Sequence, residues 1–179
     1  MRYQEIIDFW FNEIDSKYWF KKDANFDRQL KQRFWDTYQA ATRCELYEWR
    51  QTPGGSLAEV IVLDQFSRNF FRDSAKAFEF DALALALSQN AIEKGFDKDI
   101  PIKRRSFLYM PYMHSESLEI HNQALELFAT EGLENNLDYE KRHRDIIEKF
   151  SRYPHRNQVM GRESTAAELE FLSQPGSSF

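Results

Sequence analysis

The sequence predicts an all-α fold, and three observations support this prediction. Apolar residues recur at spacings of three and four through almost the whole chain, which is the period of an amphipathic helix. Glycine and proline together make up only 11 of the 179 residues, fewer than a loop-rich all-β fold would use. No stretch alternates apolar and polar residues long enough to indicate a strand. The length predicts a single all-α domain over residues 1–179, with a frayed tail at about 173–179.

The N-terminal third is predicted to hold three helical segments. Apolar spacing indicates a short helix at about residues 3–11 and a longer one at about 23–43. A third helical stretch at about 46–50 stops at residues 52–55, because proline and consecutive glycines interrupt the helical hydrogen bonds. Cys44 lies among apolar neighbours at helical spacing and is expected to be buried.

Capping signals mark the next two helices. Ser56 and Glu59 have the spacing of a capping box, in which each side chain bonds the backbone N–H of the other. A helix is therefore predicted to begin at Ser56 and to run to about residue 72. Asp73 or Ser74 is predicted to cap the following helix, which ends at Gly95, where a left-handed residue closes it.

Proline and serine positions divide the C-terminal half. Pro101 suits the first turn of a helix that is predicted to end at about residue 110, where Pro111 disrupts it. Ser115 is predicted to cap a helix through about residue 128. A further helix covers about residues 133–152, and a second capping box at Thr165 opens a last short helix. The result is about seven to eight helices with short loops, which favours antiparallel helical hairpins without a clear sequence repeat.

Composition excludes several classes of function. A formal net charge of −5 argues against a broad nucleic-acid surface, because phosphate binding requires a cationic field. No run approaches the ~20 apolar residues of a membrane span, and the N-terminus carries acids within its apolar stretch, unlike a signal peptide. The sequence thus predicts a cytoplasmic protein with neither nucleic acid nor membrane as partner. No phosphate-binding glycine loop occurs, and no cofactor is expected.

A polar set follows directly on the apolar residues 60–63 in the same predicted helix. Asp64 and Arg68 share a face at helical spacing, but an exposed pair of this kind stabilises a helix by only ~0.3–0.5 kcal/mol. If the set is buried, each unpaired polar group costs ~1–3 kcal/mol, so partners or a ligand must satisfy it. The candidate ligand-binding residues of this set are Asp64, Gln65, Arg68, Asn69 and Arg72.

A positive segment is the expected source of partners. Residues 141–162 hold seven Lys or Arg against two acids, although part of this charge suits a solvated helix face. Pro154 ends the helix and directs the following side chains toward a cleft. The candidate residues here are Arg152, His155, Arg156 and Asn157. Asp64 is predicted to pair with an arginine of this segment, one of Arg144, Arg152 and Arg156.

A third cluster, His114, Ser115 and Glu116, follows Pro111. Ser115 and Glu116 suit a helix N-terminus without any function, which leaves His114 as the residue to explain. The four histidines have no metal-binding spacing, so no metal site is predicted, and Ser115 has no glycine-flanked elbow of a hydrolase nucleophile. His114 and Glu116 are added to the candidate ligand-binding residues.

Five ordered motifs resemble a mostly bacterial family catalogued as domain of unknown function 924. They are "LDQFSRNFFR", "AFEFDALALALSQNAIEKG", "FLYMPYMHSE", "RHRDIIEKFSRYPHRN" and "GREST", within about residues 3–172. This chain departs from the family with Ser67 where proline is usual, Ser151 where glycine is frequent and Tyr153 where phenylalanine is frequent. The resemblance implies a tetratricopeptide-like superhelix of stacked hairpins. It brings no established activity. The matching polar residues also include His143, Arg144 and Arg162.

Three functions remain open from the sequence. The first is binding of a small anionic ligand or an acidic peptide by Arg68, Arg72, Arg152 and Arg156. The second is an acid/base enzyme, hydrolase-like or other, using Asp64, His114, Glu116 or His155, with no catalytic residue assigned. The third is a buried polar network that fixes the helices and serves as a scaffold. The sequence does not predict the oligomeric state.

Overall fold

The computed structural model describes residues 2–177 and is all-α, with no strand among them. Its α-helices are α1 Tyr3–Asp8, α2 Ala24–Thr42, α3 Pro53–Ile61, α4 Ser67–Phe70, α5 Asp81–Glu93, α6 Phe96–Asp99, α7 Ile102–Met113, α8 Leu118–Phe128, α9 Glu134–Phe150 and α10 Ala166–Leu172. Single π-helical turns extend α1 and α3, at Phe9–Glu13 and Val62–Phe66. Short 3₁₀ turns lie at Ser16–Tyr18, Tyr47–Gln51, Ala75–Phe78 and Pro154–Arg156. The tetratricopeptide-like arrangement stays a prediction.

Helix α3 lies at the centre of the larger hydrophobic core. It packs against α1, α5 and α7, and Val60, Ile61, Val62 and Leu63 have no exposed surface. The helix passes from Ile61 into the π turn without a loop, and Val62 and Leu63 in that turn directly precede Asp64. The apolar run and the polar set therefore belong to one continuous buried helix.

The predicted capping box at Ser56 is wrong. Helix α3 begins three residues earlier, at Pro53, and the Thr52 hydroxyl accepts the backbone N–H of Gly55 at 3.1 Å. Proline suits this first helical position because it has no N–H to lose. A Cβ on Gly55 would lie 2.1 Å from the carbonyl oxygen of Trp49, so glycine permits a close approach of backbone segments. Glu59, the other member of the predicted box, is instead buried against Arg50.

Three further boundaries differ from prediction. Helix α5 begins at Asp81, and Ser74 instead caps the separate 3₁₀ turn Ala75–Phe78. Pro111 does not end α7, which continues to Met113 because residues 106–113 are all buried and their packing offsets the missing hydrogen bond. Ser115 does not cap α8. That helix begins at Leu118, and the Ser115 hydroxyl accepts the N–H of Ser117 within the preceding loop. The predicted left-handed closure at Gly95 is confirmed, with φ at 75°.

The C-terminal helices enclose a second, smaller hydrophobic cluster, formed by Ile146, Ile147 and Tyr153. The capping box at Thr165 is confirmed, with both bonds to Glu168 present. Of the tail predicted to fray, residues 173–177 follow α10 in turns, and the Ser177 hydroxyl donates to the carbonyl of Leu172 at 3.1 Å. Residues 178 and 179 lie outside the described residues.

The prediction that Cys44 is buried is wrong. Cys44 is exposed rather than buried, because α2 ends at Thr42 and the chain turns there, with Cys44 in the left-handed region at a φ of 57°. Within residues 2–177, none of the helices has both the length and the apolar character to cross a bilayer.

Candidate functional site

Asp64 lies in the π turn after α3 and is completely buried. One carboxylate oxygen, Oδ2, accepts from Gln65 Nε2 at 2.6 Å. The other, Oδ1, is 3.1 Å from Arg68 Nη1 and 2.7 Å from His114 Nδ1. Burial alone would raise the pKa of Asp64, but Arg68, His114 and Gln65 hold it well below its usual range. Asp64 is therefore ionised at neutral pH.

Arg68 donates hydrogen bonds to Asp64 and to a second carboxylate, that of Asp81. Its Nη1 donates to the backbone carbonyl of Asp64, and Nη1 and Nη2 form a bidentate pair with Asp81, all three bonds being 2.9 Å long. Asp81 is the first residue of α5 and was missed by the sequence analysis. An acid in the first turn of a helix is expected there anyway, because it interacts favourably with the positive end of the helix dipole. The pairing of Asp81 with Arg68 therefore left no separate signal in the sequence.

Arg156 lies across Asp81 from Arg68. Its guanidinium makes cation–π contacts with the rings of Phe78 and Tyr153, at 4.4 and 4.6 Å from the ring centroids. Only Nη1 approaches a carboxylate, at 3.5 Å from Asp81 Oδ2, and the buried Nε has no acceptor among residues 2–177. Burial lowers the pKa of Arg156, and the nearby charge of Arg68 lowers it further. Arg156 is thus a buried cation with an incomplete set of acceptors.

His114 ends α7, where its ring contacts Asp64. Because Asp64 is ionised, His114 Nδ1 must carry the proton that it donates to Oδ1. No group among residues 2–177 bonds Nε2, which is left as an acceptor on a side chain that is 17% exposed. Burial and Arg68 lower the pKa of His114, although Asp64 opposes them. A carboxylate thus orients the His114 ring, an arrangement that is typical of histidines that act as general bases.

These residues form what we call the arginine centre: Asp64, Arg68, Asp81, His114 and Arg156. It contains two carboxylates and two guanidiniums, and it joins the π turn, α5, the end of α7 and the last 3₁₀ turn. The predicted pairing of Asp64 with Arg144, Arg152 or Arg156 is wrong, because Asp64 takes its partners from its own helix and from His114. The two segments meet through Asp81 instead.

Glu116 fixes the segment that carries Arg156. Its carboxylate accepts from Arg162 Nη1 at 2.6 Å and Nη2 at 2.9 Å, and from the backbone N–H of Tyr153 at 2.8 Å. Although burial opposes the shift, these bonds lower the pKa of Glu116. His155 lies in the same 3₁₀ turn with its ring 5.4 Å from that of Tyr153. Burial and then Arg156 lower the pKa of His155 to about 4, so it is neutral at neutral pH.

The remaining predicted residues lie in other contacts. Asn69 and Arg72 both bind Asp27 of α2, at the edge of a groove of about 630 Å³ that none of the arginine centre lines. Arg152 forms a bidentate pair with Glu168 at the start of α10. Asn157 donates to Ser164 at 3.1 Å. Arg144 binds Asn122 and Glu148 at the surface.

The described residues include no group of three His, Cys, Asp or Glu side chains arranged to hold a metal ion. Both nitrogens of the buried His121 have protein partners. Nδ1 is 2.6 Å from Glu140, and Nε2 is 2.9 Å from the carbonyl oxygen of Ser115.

Comparisons with known proteins agree with the motifs read from the sequence. The family model described as bacterial protein of unknown function (DUF924) matches residues 6–176, which confirms the resemblance. The chain is also similar to a solved structure, that of the protein of unknown function ATU0120 from Agrobacterium tumefaciens. The two share 38% identity with a TM-score of 0.91, over 95% of this chain and 96% of the other. No curated protein matches the sequence.

Proposed function

We propose, from the premise that this chain belongs to the DUF924 family of bacterial proteins of unknown function, that its arginine centre binds a small anionic ligand. The observation that supports this is the incomplete bonding of Arg156. A guanidinium has five N–H donors, and among residues 2–177 this one has a single 3.5 Å contact to a carboxylate. A buried cation in this state is stabilised by an added negative charge with free lone pairs.

The surroundings of Arg156 favour a small ligand over an acidic peptide. The Arg156 side chain is only 8% exposed, and its guanidinium makes cation–π contacts with Phe78 and Tyr153. The ring contacts leave the guanidinium little room, and one of its N–H donors, Nε, has no acceptor among residues 2–177. Each charge-assisted hydrogen bond there contributes ~1.5–3 kcal/mol before the cost of association.

Arg68 serves the scaffold instead. Within residues 2–177 its hydrogen bonds go to Asp64 and Asp81, which would lose their main cation without it. The purely structural hypothesis therefore describes Arg68 well and Arg156 poorly. The two arginines form a matched pair for an experiment.

Thermal unfolding of two variants tests the proposal. Arg156→Met is expected to melt near the wild type, because Asp81 keeps its two 2.9 Å bonds to Arg68. A bound anion raises the melting temperature, because at a ligand concentration of 100 Kd it stabilises the folded protein by about 2.7 kcal/mol. The same variant should lose this stabilisation. Arg68→Met is the control and should destabilise by ~3–5 kcal/mol, because two carboxylates lose their partner.

Phosphate, citrate and a panel of cell metabolites serve as the added anions. A large drop in the melting temperature of Arg156→Met, together with no anion that stabilises the wild type, would contradict binding and favour the structural hypothesis. An unchanged melt with lost anion stabilisation would support binding.

A second candidate function, an acid/base enzyme, is favoured by one observation. His114 Nδ1 lies 2.7 Å from the buried Asp64, an arrangement that stabilises the imidazolium formed when Nε2 takes a proton. Anions that stabilise the protein would be incubated with it and followed by NMR. Turnover that disappears in His114→Asn while binding persists would support the enzyme, and the absence of any turnover would contradict it.

A further inference from the structure

The hydrogen-bonding character of His114 restricts the ligand that the arginine centre accepts. We infer that the ligand carries a hydroxyl group directly beside its negative charge, with the charge on Arg156 and the O–H donated to His114 Nε2. This inference rests on the proposed function, because it assigns the chemistry of the same site. Two sources share this chemistry: a 2-hydroxycarboxylate, and a phosphate that retains one proton.

The first step is the direction of the bond at His114. Nδ1 is occupied by its donation to Asp64 Oδ1 at 2.7 Å, and Arg68 Nη1 lies 3.1 Å from the same oxygen. A second proton on the imidazole would add a positive charge beside Arg68. The neutral ring therefore keeps one proton on Nδ1, and Nε2 offers only a lone pair.

The second step is the neighbourhood of that lone pair. His114 and Arg68 share Asp64 Oδ1, and Arg68 and Arg156 share Asp81, so an acceptor and an under-bonded cation occur in one connected centre. An anion without a proton would place its own lone pairs against Nε2, and two acceptors repel each other. An anion with an adjacent O–H satisfies both groups at once. Sites of this kind discriminate strongly against a ligand that lacks the donor, because a polar group is then left unpaired.

Two matched pairs of anions test the inference by calorimetry at neutral pH and constant ionic strength. The phosphate dianion carries an O–H that sulfate lacks at the same charge, and malate carries a hydroxyl that succinate lacks. We expect phosphate or malate to bind about tenfold more tightly than its partner, the value of one hydrogen bond. Preference within the phosphate pair alone identifies a phosphate ligand, and preference within the malate pair alone identifies a hydroxycarboxylate.

The variant His114→Asn provides the second readout. Asp64 keeps Arg68 and Gln65 in this variant, so its carboxylate stays paired. The preference should disappear while the weaker binding of sulfate or succinate persists. A preference that survives in His114→Asn would overturn the role of His114. If the variant does not fold, the wild-type comparison still decides the ligand class.

The outcomes separate this inference from the proposed function. Equal affinities within both pairs, with measurable binding and its loss in Arg156→Met, would overturn the hydroxyl requirement and leave anion binding intact. Binding of none of the four anions, nor of the wider panel, would overturn both.

Discussion

Two arginines that each make a bidentate pair with a glutamate show how burial decides the value of a single contact. Arg50 donates to Glu59 through Nε and Nη2, both at 2.7 Å, and Glu59 has no exposed surface. Arg43 donates to Glu45 with similar geometry, at 2.8 and 3.0 Å, but both side chains are more than half exposed. Removing the arginine strands a buried charge in the first case only.

We expect Arg50→Met to lower the free energy of unfolding by about 3 kcal/mol. This is the lower end of the range for a broken buried pair, because the Arg50 side chain keeps 23% exposure. Arg43→Met is the matched control and should leave urea unfolding unchanged, since water screens an exposed pair. Equal losses in the two variants would contradict the role assigned to burial.

Single residues were predicted from the sequence more successfully than their partners. The polar set after residue 63 was predicted to need buried partners, and the Asp64 carboxylate is fully buried with three polar partners, Gln65, Arg68 and His114. Its actual partners are Arg68 and His114 rather than an arginine of the later segment. Sequence spacing shows which side chains share a helix face, but the pairing of Arg68 with Asp81 depends on how α5 packs against the π turn.

At the scale of elements, the sequence located the helices and missed the π turn at Val62–Phe66. An apolar run at helical spacing predicts a helix, but one extra residue within a turn leaves no compositional signal. The contacts around Ser67 accompany this change in winding. Its hydroxyl donates to the carbonyl of Leu63 at 2.6 Å and lies 3.2 Å from the hydroxyl of Tyr38 in α2. Tertiary contacts of this kind are not readable from local sequence.

The end of α9 gives a prediction about a single helix terminus. Ser151 closes this helix with a φ of 57°, in the left-handed region that is costly for residues with a Cβ. We expect Ser151→Gly to raise the free energy of unfolding by about 0.5–1 kcal/mol in urea titrations. Ser173→Gly, at the end of α10 with a φ of −77°, is the control and should give no gain. A gain in both variants, or in neither, would contradict the explanation.

At the scale of the whole molecule, the fold gathers all four histidines around Tyr153. The Tyr153 hydroxyl is 3.2 Å from His121 Nε2, and the rings of His143 and His155 lie 5.7 and 5.4 Å from the Tyr153 ring. His114 completes the group, since it follows Met113, whose carbonyl oxygen accepts a hydrogen bond from the Tyr153 hydroxyl. The sequence showed four histidines without metal-binding spacing, and their common location depends on α8 packing against α9.

Burial of these histidines predicts a loss of stability in mild acid. Burial lowers the pKa of His143 to about 3 and that of His155 to about 4, from an ordinary value of 6.5. Between about pH 6.5 and 4 the unfolded chain therefore binds more protons than the folded one, so the free energy of unfolding falls as the pH drops. His114 acts in the same direction, whereas Glu140 opposes it, because burial raises its pKa.

Urea unfolding at pH 7 and pH 5 tests this prediction. Both pH values lie above the ordinary pKa of carboxylates such as Glu116, whose protonation would also favour unfolding in acid. The wild type is expected to be less stable at pH 5. His155→Asn should show a smaller difference between the two pH values, because one of the groups that take up a proton on unfolding is gone. His114→Asn provides a second variant with the same expected direction. Equal stability of the wild type at both pH values would mean that the histidine cluster stays accessible to protons in the folded protein. That result would also contradict the burial on which the incomplete bonding of Arg156 depends.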